Sequence, residues 1–526
     1  MFTASHQRCI IGCRNEAYRW ADKLALPALK NGFSQILHSL SVEMDNQNIV
    51  QQTSFLNLYA QFKHLTTFSL DQLKEMGCSF LFSKDSPDSW VYNNTALDSA
   101  TGNVVLNQYS GHGQGFSNNR ALDNPFVEST DASGNKLYVL APQKTQSKSD
   151  ENQYNEGLKQ RLEWLHYNTT TQTKSNRAAI LSEANAALLF KSHVKAPANG
   201  KKTIFCVAKI ELRHVCDYFQ KCPTLMKGGA FKFYINVNQA ECRFKLVEPA
   251  VANTSTFNAI QVTSTTLQNG SNPIMISSAD RFQPTTGLVG GLTHAAAKSF
   301  IASLSVVRNN FTTIVTPQSS HSLTSTRLYC PQYVLNPLAE SQLIKLNPVK
   351  TIVYDDIQLH IQRGVKDNFN FLCSNGISNL KEIVVIPFLN TVSNVGLNPL
   401  HSPFDSSVCH PIAVRNFNVQ VSGKNLYQSN LDYDWEQFHN ELKTLGINSG
   451  MTDGLSSGLL SEYDYSNMYR YLYSNVSRVL PSEEGVARSV NIMGQVVNSS
   501  LTVDFYCFMI YSKKITLDCR TGSRVD

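Results

Sequence analysis

The chain has 526 residues, of which 42% are hydrophobic, 10% aromatic and 16% charged, and its net charge is +6. This is too long for one ordinary core, so two or three domains of roughly 100–250 residues are expected. No uninterrupted apolar run approaches the length of a membrane span, which excludes a bundle of membrane helices. Charged residues fall below the ~25% usual for soluble domains. Asn, Gln, Ser and Thr therefore supply the polar surface, as suits subunits that pack closely, where a buried charge costs desolvation. Phe and Tyr, at 27 and 21, greatly outnumber the 4 Trp, a balance that favours half-buried pleated sheet.

The charge is concentrated at the two ends. Residues 1–30 carry Arg8, Arg14, Arg19, Lys23 and Lys30 against Glu16 and Asp22, a net +3. Residues 512–526 carry Lys513, Lys514, Arg520 and Arg524 against Asp518 and Asp526, a net +2. Such ends are either solvated termini or a weakly basic surface for an anionic partner. The cysteines include Cys206, Cys330, Cys373 and Cys507 inside apolar strand-like runs, as reduced, buried thiols are. The opening Met1-Phe-Thr-Ala-Ser-His-Gln-Arg has no apolar signal region, so a reducing compartment is expected.

In chain order, residues 14–30 read as a short amphipathic helix broken at Pro27. Ile36 to Met44 reads as a strand with Leu40, Val42 and Met44 on one face. Asp45-Asn46 is then a turn, and Ile49 to Lys63 a returning strand. From Lys84 to about Ser175, Asn, Ser, Asp, Gly and Gln dominate, which suggests long loops protruding from a scaffold. One island of helical spacing lies there, through Leu158, Leu162 and Leu165. Ile204–Leu212 is a strand, 211–221 a short helix, and Phe231, Phe233, Ile235 and Val237 alternate along another strand. Residues 250–295 read as loop, and 297–313 and 327–335 as strands.

Asn347-Pro348 marks a boundary. Beyond it, 351–361 is a strand, Glu382–Leu389 a continuous buried run, and 414–421 an alternating strand. Asp434-Trp-Glu-Gln437 opens a helix with Trp435, Phe438 and Leu442 on one side. The chain closes on a strand in which Leu501, Val503, Phe505, Cys507, Met509 and Tyr511 alternate, so one face is expected to meet a core. Many short strands with long connections indicate an all-β fold of two sandwiches or jelly rolls.

No constellation of catalytic groups stands out, and no catalytic, cofactor-binding or metal residue is assigned. Gly454-Leu-Ser-Ser-Gly458 matches a nucleophile-elbow pattern, but that pattern needs a strand delivering the serine to a sharp turn, and the preceding residues read as loop. Gly111-His-Gly-Gln-Gly115 lacks the strand before it and the lysine after it that a phosphate loop needs. Cys9 and Cys13 with His6, and His214 with Cys216 and Cys222, fall short of the four tightly spaced ligands of structural zinc.

Three blocks together carry a resemblance. The first runs from Ala208-Lys-Ile-Glu-Leu-Arg-His-Val-Cys-Asp-Tyr-Phe to Lys227-Gly-Gly229 and Asn236-Val-Asn-Gln239. The second comprises Arg327-Leu-Tyr-Cys-Pro-Gln-Tyr-Val-Leu-Asn-Pro337, Lys350-Thr-Ile-Val-Tyr-Asp-Asp356 and Ile383-Val-Val-Ile-Pro-Phe-Leu389. The third comprises Ser402-Pro-Phe-Asp405, Asn416-Phe-Asn-Val-Gln-Val-Ser-Gly-Lys-Asn425 and Arg478-Val-Leu-Pro-Ser-Glu-Glu-Gly485. From about Asn31 to Cys519 the chain resembles the double jelly-roll, hexon-like major capsid proteins of Polinton-type elements, adintoviruses and adomavirus-like DNA viruses.

The resemblance implies two tandem eight-stranded jelly rolls with short helices and long loop insertions. It places an N-terminal arm at 1–30, jelly roll 1 at 31–345 with an insertion at about 84–200, and jelly roll 2 with a short tail at 346–526. It implies a homotrimeric, pseudo-hexagonal capsomer of an icosahedral shell, made in the host cytoplasm or nucleus and residing in the virion. No enzyme activity and no cofactor are implied. Partners would be neighbouring capsomers, penton and minor capsid proteins. In the family both jelly-roll bases face the shell interior with the chain ends near them, so the basic ends would make weak, non-specific contact with packaged nucleic acid or tie neighbouring capsomers together. A β-sandwich carbohydrate-binding or glycan-processing protein is the alternative. It would show exposed tryptophans, among Trp20, Trp90, Trp164 and Trp435, and a carboxylate pair in a cleft. A single-barrel penton is disfavoured by strands enough for two barrels.

Overall fold

The computed structural model describes residues 4–15, 25–85, 95–97, 104–106, 126–130, 136–140, 157, 161, 194–198, 201–222, 230–247, 259–278, 299–306, 328, 334, 336–390, 400–401, 403, 409, 412–443, 456–477, 487–497 and 502–525. The first half begins with strands β1 (Ala4–Asn15), β2 (Ala25–Leu29), β3 (Leu37–Met44) and β4 (Gln47–Val50). Helices α1 (Leu56–Thr67) and α2 (Leu70–Phe80) follow. Two hairpins come next: β5 (Thr95–Leu97) with β6 (Val104–Leu106), and β7 (Phe126–Thr130) with β8 (Lys136–Leu140). Strands β9 (Val194–Ala198) and β10 (Lys201–Ile210) lead into short helices α3 (Leu212–Val215) and α4 (Asp217–Lys221). Then come β11 (Phe231–Val237), β12 (Gln239–Val247), β13 (Ala259–Gln268), β14 (Ile274–Ser278) and β15 (Ser299–Val306). These form antiparallel sheets in the orders β13-β12-β15-β1-β10-β9, β11-β3-β4 and β14-β2.

Helix α5 (Pro337–Leu346) joins the halves; Asn336 caps it by accepting from the Leu338 N–H, and Pro337 takes the first turn. The second half holds β16 (Val349–Val365), β17 (Asn368–Ile377), β18 (Leu380–Leu389), β19 (Val414–Val421), β20 (Lys424–Asn425) and β21 (Leu431–Tyr433). Helix α6 (Trp435–Lys443), the small hairpin of β22 (Ser456–Ser457) and β23 (Leu460–Ser461), and helix α7 (Glu462–Asn467) follow. Strands β24 (Leu472–Asn475), β25 (Arg488–Val496) and β26 (Val503–Asp518) close the chain. One sheet runs β16-β26-β18-β24, and the other runs β17-β25-β19-β20 with β21 also on β19. Consecutive long strands alternate between the two sheets, and the last strand lies beside the first. That is the wrap of a jelly roll. Its interior is aromatic: Phe505 lies 4.9 Å from Phe369, and Phe417 5.2 Å from Tyr433.

The all-β expectation therefore holds, and several local expectations are revised. Asp45-Asn46 does turn the β3–β4 hairpin, with φ of 51° and 65°, the left-handed pair that a two-residue hairpin needs. The return strand, however, stops at Val50, and 56–67 is helix α1. Leu58, Phe62 and Leu65 have helical spacing, but both flanks of the helix are also buried, so no polar face marks the period. The helix expected over 14–30 is replaced where described. Asn15 ends β1, and Pro27 lies in β2, one strand of a two-stranded sheet, where its missing N–H is tolerated. The expected N-terminal arm thus contains strands paired within the first half. The polar stretch after Lys84 contains β5 to β8, and the expected loop at 250–295 contains β13 and β14. Arg161 of the helical island and Gly157 just before it are helical; the island's leucines lie outside the described residues. Leu328 and Val334 are not in a strand.

Candidate functional site: the seam between the two halves

Among the described residues, every strand pairing joins strands from the same side of helix α5. What joins the halves is side-chain packing on the outer face of the β16-β26-β18-β24 sheet. Along β26, Phe505, Cys507 and Met509 turn into the jelly roll, and Tyr506, Phe508 and Ile510 turn away from it. All six are at most 4% exposed. Helix α1 covers the second set. Phe55 meets Tyr506 edge-on at 5.0 Å, Tyr59 lies 5.7 Å from Phe508, and Phe62 lies 5.1 Å from Tyr471 and 6.0 Å from Tyr473. Each such ring removed from water stabilises the seam by ~1.5–3 kcal/mol. The closing strand was expected to bury one face; it buries both.

The free edge of β16 is covered by the first half. The Gln51 N–H donates to Asp356 Oδ2 at 3.1 Å, Thr53 Oγ1 donates to the Ile357 carbonyl at 2.6 Å, and the Tyr354 hydroxyl donates to the Ile49 carbonyl. The Asp355 N–H donates to Asp217 Oδ2 at 3.0 Å, which brings α4 onto the same edge. An uncovered edge strand would invite pairing with other chains, and these bonds remove part of that template. Lys513 Nζ reaches the Ile49 carbonyl at 3.0 Å and Asp356 Oδ2 at 3.4 Å.

A second set of polar contacts ties Lys84, Asp85 and Asn272 to the jelly roll, with Arg161 of the first half holding residues 83–85 in place. Arg161 Nη2 pairs with Asp85 Oδ1 at 2.6 Å, both side chains being wholly buried, and Arg161 Nη1 donates to the Ser83 carbonyl. The Tyr469 hydroxyl donates to the Asp85 carbonyl at 2.7 Å. Lys84 Nζ reaches Asp464 Oδ2 at 2.6 Å and the Leu459 carbonyl at 2.9 Å. Asn272 donates through its backbone to the Leu400 carbonyl and through Nδ2 to the His401 carbonyl, each at 2.8 Å. Gly458, at φ +70°, sits where a Cβ would fall 2.3 Å from the Leu65 carbonyl oxygen at the end of α1.

Burial shifts the titrating groups of this region. It pushes Glu382 up to about 7, with the Asp355 carboxylate adding to the effect and Lys381 and Lys63 opposing it. Burial also raises Asp356, against the pull of Lys513. On α1, burial holds His64 down at about 3, helped by His214 and Lys63. The His64 ring stacks on Phe68 at 4.9 Å and meets Phe82 at 5.2 Å, with no hydrogen-bond partner for its Nδ1.

These geometries hold surfaces together and do not converge on a reacting atom. Among the described residues no cluster of His, Cys, Asp and Glu is placed to hold a metal, and no helix is long and apolar enough to cross a membrane. His214 faces Phe68 and Phe80 at 5.3 and 5.4 Å, while Cys216 is buried with its thiol pushed up to about 12, so the pair is built into packing. Ser456 belongs to the short β22–β23 hairpin. An elbow serine would instead sit between a strand and a helix. Cys9, Cys13 and His6 lie along β1; Gly111–Gly115, Trp20, Trp90 and Trp164 lie outside the described residues. Trp435 packs as expected, 5.9 Å from Phe438 and 5.6 Å from Tyr465. Of the basic ends, Lys30 is buried and Lys513 is paired, while Lys514 and Arg520 are exposed. The seam itself escaped the sequence reading. The helical spacing of Leu58, Phe62 and Leu65 was the signal that could have found it.

No family model and no curated protein matches the chain. Solved structures are similar over its whole length at low identity. A cryo-EM structure of the Sputnik virophage is 10% identical, with a TM-score of 0.36, covering 100% of this chain and 82% of that one. The mavirus major capsid protein is 11% identical, with a TM-score of 0.32 and coverage of 100% and 84%. The Faustovirus major capsid protein is 9% identical, with a TM-score of 0.35 and coverage of 98% and 85%.

Proposed function

We propose that this chain is the major capsid protein of an icosahedral DNA virus, a structural tile and not an enzyme. The observation that carries the reading is the seam. A jelly roll whose inward sheet is buried on both faces is fixed against a second β-unit, so one chain presents two β-units as a single rigid block. The residue blocks that resemble hexon-like capsid proteins support the same reading. The chain divides at Asn347-Pro348, with the insertion of about 84–200 contributing the projecting surface. Three copies close into a pseudo-hexagonal homotrimer, since a cyclic arrangement satisfies head-to-tail contacts without a free end. Neighbouring capsomers, penton and minor capsid proteins complete the shell in the virion after assembly in the host cytoplasm or nucleus. Lys514 and Arg520 are the basic residues of the C-terminal end left for weak, salt-sensitive contact with packaged nucleic acid.

The test is the mass of the purified full chain in solution, followed by electron microscopy of the particles. Trimers that tile into hexagonal arrays support the tile. A stable monomer that binds oligosaccharide overturns it in favour of the glycan-binding reading.

A further inference from the structure

The sheet β16-β26-β18-β24 carries faces of opposite character at its two edges. Helix α5 runs into the β16 edge, and none of its residues is buried. Leu338 is 66% and Leu346 78% exposed. Beyond α5, β16 and β26 reach past β18, whose pairing with β26 begins at Leu380 and Tyr511. In this extension Val349 lies opposite Asp518 and Val353 opposite Lys514, so the four side chains share one face of the ladder. Both valines are 51% exposed. Lys345, Lys514 and Arg520 are exposed around this apolar surface and pair with no carboxylate among the described residues. A helix of this length is marginal in water by itself, and exposed aliphatic side chains gathered in one place mark a contact surface.

The β24 edge carries helices α6 and α7. The Asn475 N–H donates to Glu441 Oε2 at 2.9 Å, which fixes α6 on β24, and Tyr465 of α7 stacks on Phe438 of α6 at 4.8 Å. Asp434, Glu436 and Glu462 are exposed here and pair with no cation among the described residues. Tyr463, next to Glu462, is 54% exposed, and Trp435, next to Glu436, is half-buried. The basic aliphatic face and the acidic aromatic face thus stand on opposite edges of one sheet, with β26 and β18 between them. Pairing either face with its own copy would set like charge against like, so the complementary contact runs head to tail.

We propose that the basic aliphatic face at the β16 edge of one copy docks on the acidic aromatic face at the β24 edge of the next, and that this contact closes the homotrimer. Leu338, Leu346, Val349 and Val353 supply the apolar centre and meet Tyr463 and Trp435. The charges form the rim and fix both partner and direction. A head-to-tail contact closed into a ring leaves neither face bare. The inference rests on the proposed homotrimer and refines it: Lys514 and Arg520 meet carboxylates of a second copy in place of packaged nucleic acid.

The experiment follows trimer dissociation of the purified full chain by sedimentation velocity across protein concentration, with circular dichroism to confirm each fold. Leu338→Ser combined with Leu346→Ser changes side chains exposed in the single chain, so the fold should survive while the dissociation constant rises by about tenfold or more. Lys514→Glu with Arg520→Glu should have the same effect, and so should Glu436→Lys with Glu462→Lys. All four charge reversals together should restore trimers to within about threefold of wild type, which two damaged but unrelated surfaces would not do. Wild-type trimers that every one of these pairs leaves unchanged overturn the contact and leave the capsomer reading standing. If the Lys514→Glu, Arg520→Glu chain forms normal trimers but particles lose nucleic acid, the two cations belong to the genome and the contact is overturned. A wild-type chain that stays monomeric overturns the capsomer reading and the contact with it.

Discussion

Strands β25 and β26 lie in opposite sheets of the same jelly roll and end up in different surroundings. Along β25 the burial alternates residue by residue, with one face in the core and the other half-buried. Along β26 every residue from Val503 to Ile510 is buried, and partial exposure begins only at Tyr511. The difference is helix α1, which lies over one sheet and not the other. A jelly roll normally has two outward faces; here one of them has become an interior. The second half is therefore a sandwich whose stability depends on a helix supplied by the first.

The largest expected effect follows from that dependence. Phe508→Asp should prevent folding as surely as Phe505→Asp, although only Phe505 faces the jelly-roll interior, because both put an unpaired charge in a dry environment at several kcal/mol. Circular dichroism and gel filtration check this; a soluble, folded Phe508→Asp chain would mean that the seam is not a core. Next, Arg161→Met leaves the Asp85 carboxylate buried and unpaired, and should cost about 3–5 kcal/mol in denaturant unfolding.

Two pH slopes of opposite sign should follow. Glu382 has its folded pKa raised to about 7, so its contribution is fully present below the unfolded value and is lost as pH rises through about 7. Glu382→Gln should remove a decline on the order of 3 kcal/mol between acid and neutral pH. His64 is depressed to about 3, so its contribution is present above the unfolded value and is lost as pH falls. His64→Phe should remove a loss of about 2 kcal/mol between pH 6.5 and pH 5. Melting curves of the two variants across pH separate the slopes. The smallest effect belongs to the outward face of β25, where Ser489→Lys should change stability by less than about 0.5 kcal/mol.

The sequence was most legible where one face of an element meets water. β11 shows the alternation that Phe231, Phe233, Ile235 and Val237 announced. Helix α6 was legible for the same reason: Phe438 and Leu442 are buried on one side, and Asp434 caps the first turn by accepting from the Gln437 N–H. Legibility failed where burial is complete. In α1 even Asn57 and Gln61 are buried, hydrogen bonded to Ser271 and Ser34. Polar residues spent on internal partners look like loop or strand to a reading that equates polar with exposed. The hairpins after Lys84 failed differently, since strands of three to five residues are too short to show a period. No catalytic residue was proposed from sequence, and the functional feature that the structure offers is a contact between distant segments, whose one local sign is the helical spacing of Leu58, Phe62 and Leu65.

The bond from the Leu459 N–H to the Leu65 carbonyl, 2.8 Å long, has a consequence for synthesis. It finishes the C-terminal end of α1 with a donor made roughly 400 residues later, and at ribosomal speed that is a wait of roughly 20–80 s. Through that interval the aromatic flank of α1 has no sheet to cover it, because β26 is the last strand to emerge. Nascent chains on one polysome hold these flanks bare side by side. Slowing initiation, or supplying a holdase during translation, should therefore raise the soluble yield more than slowing elongation does.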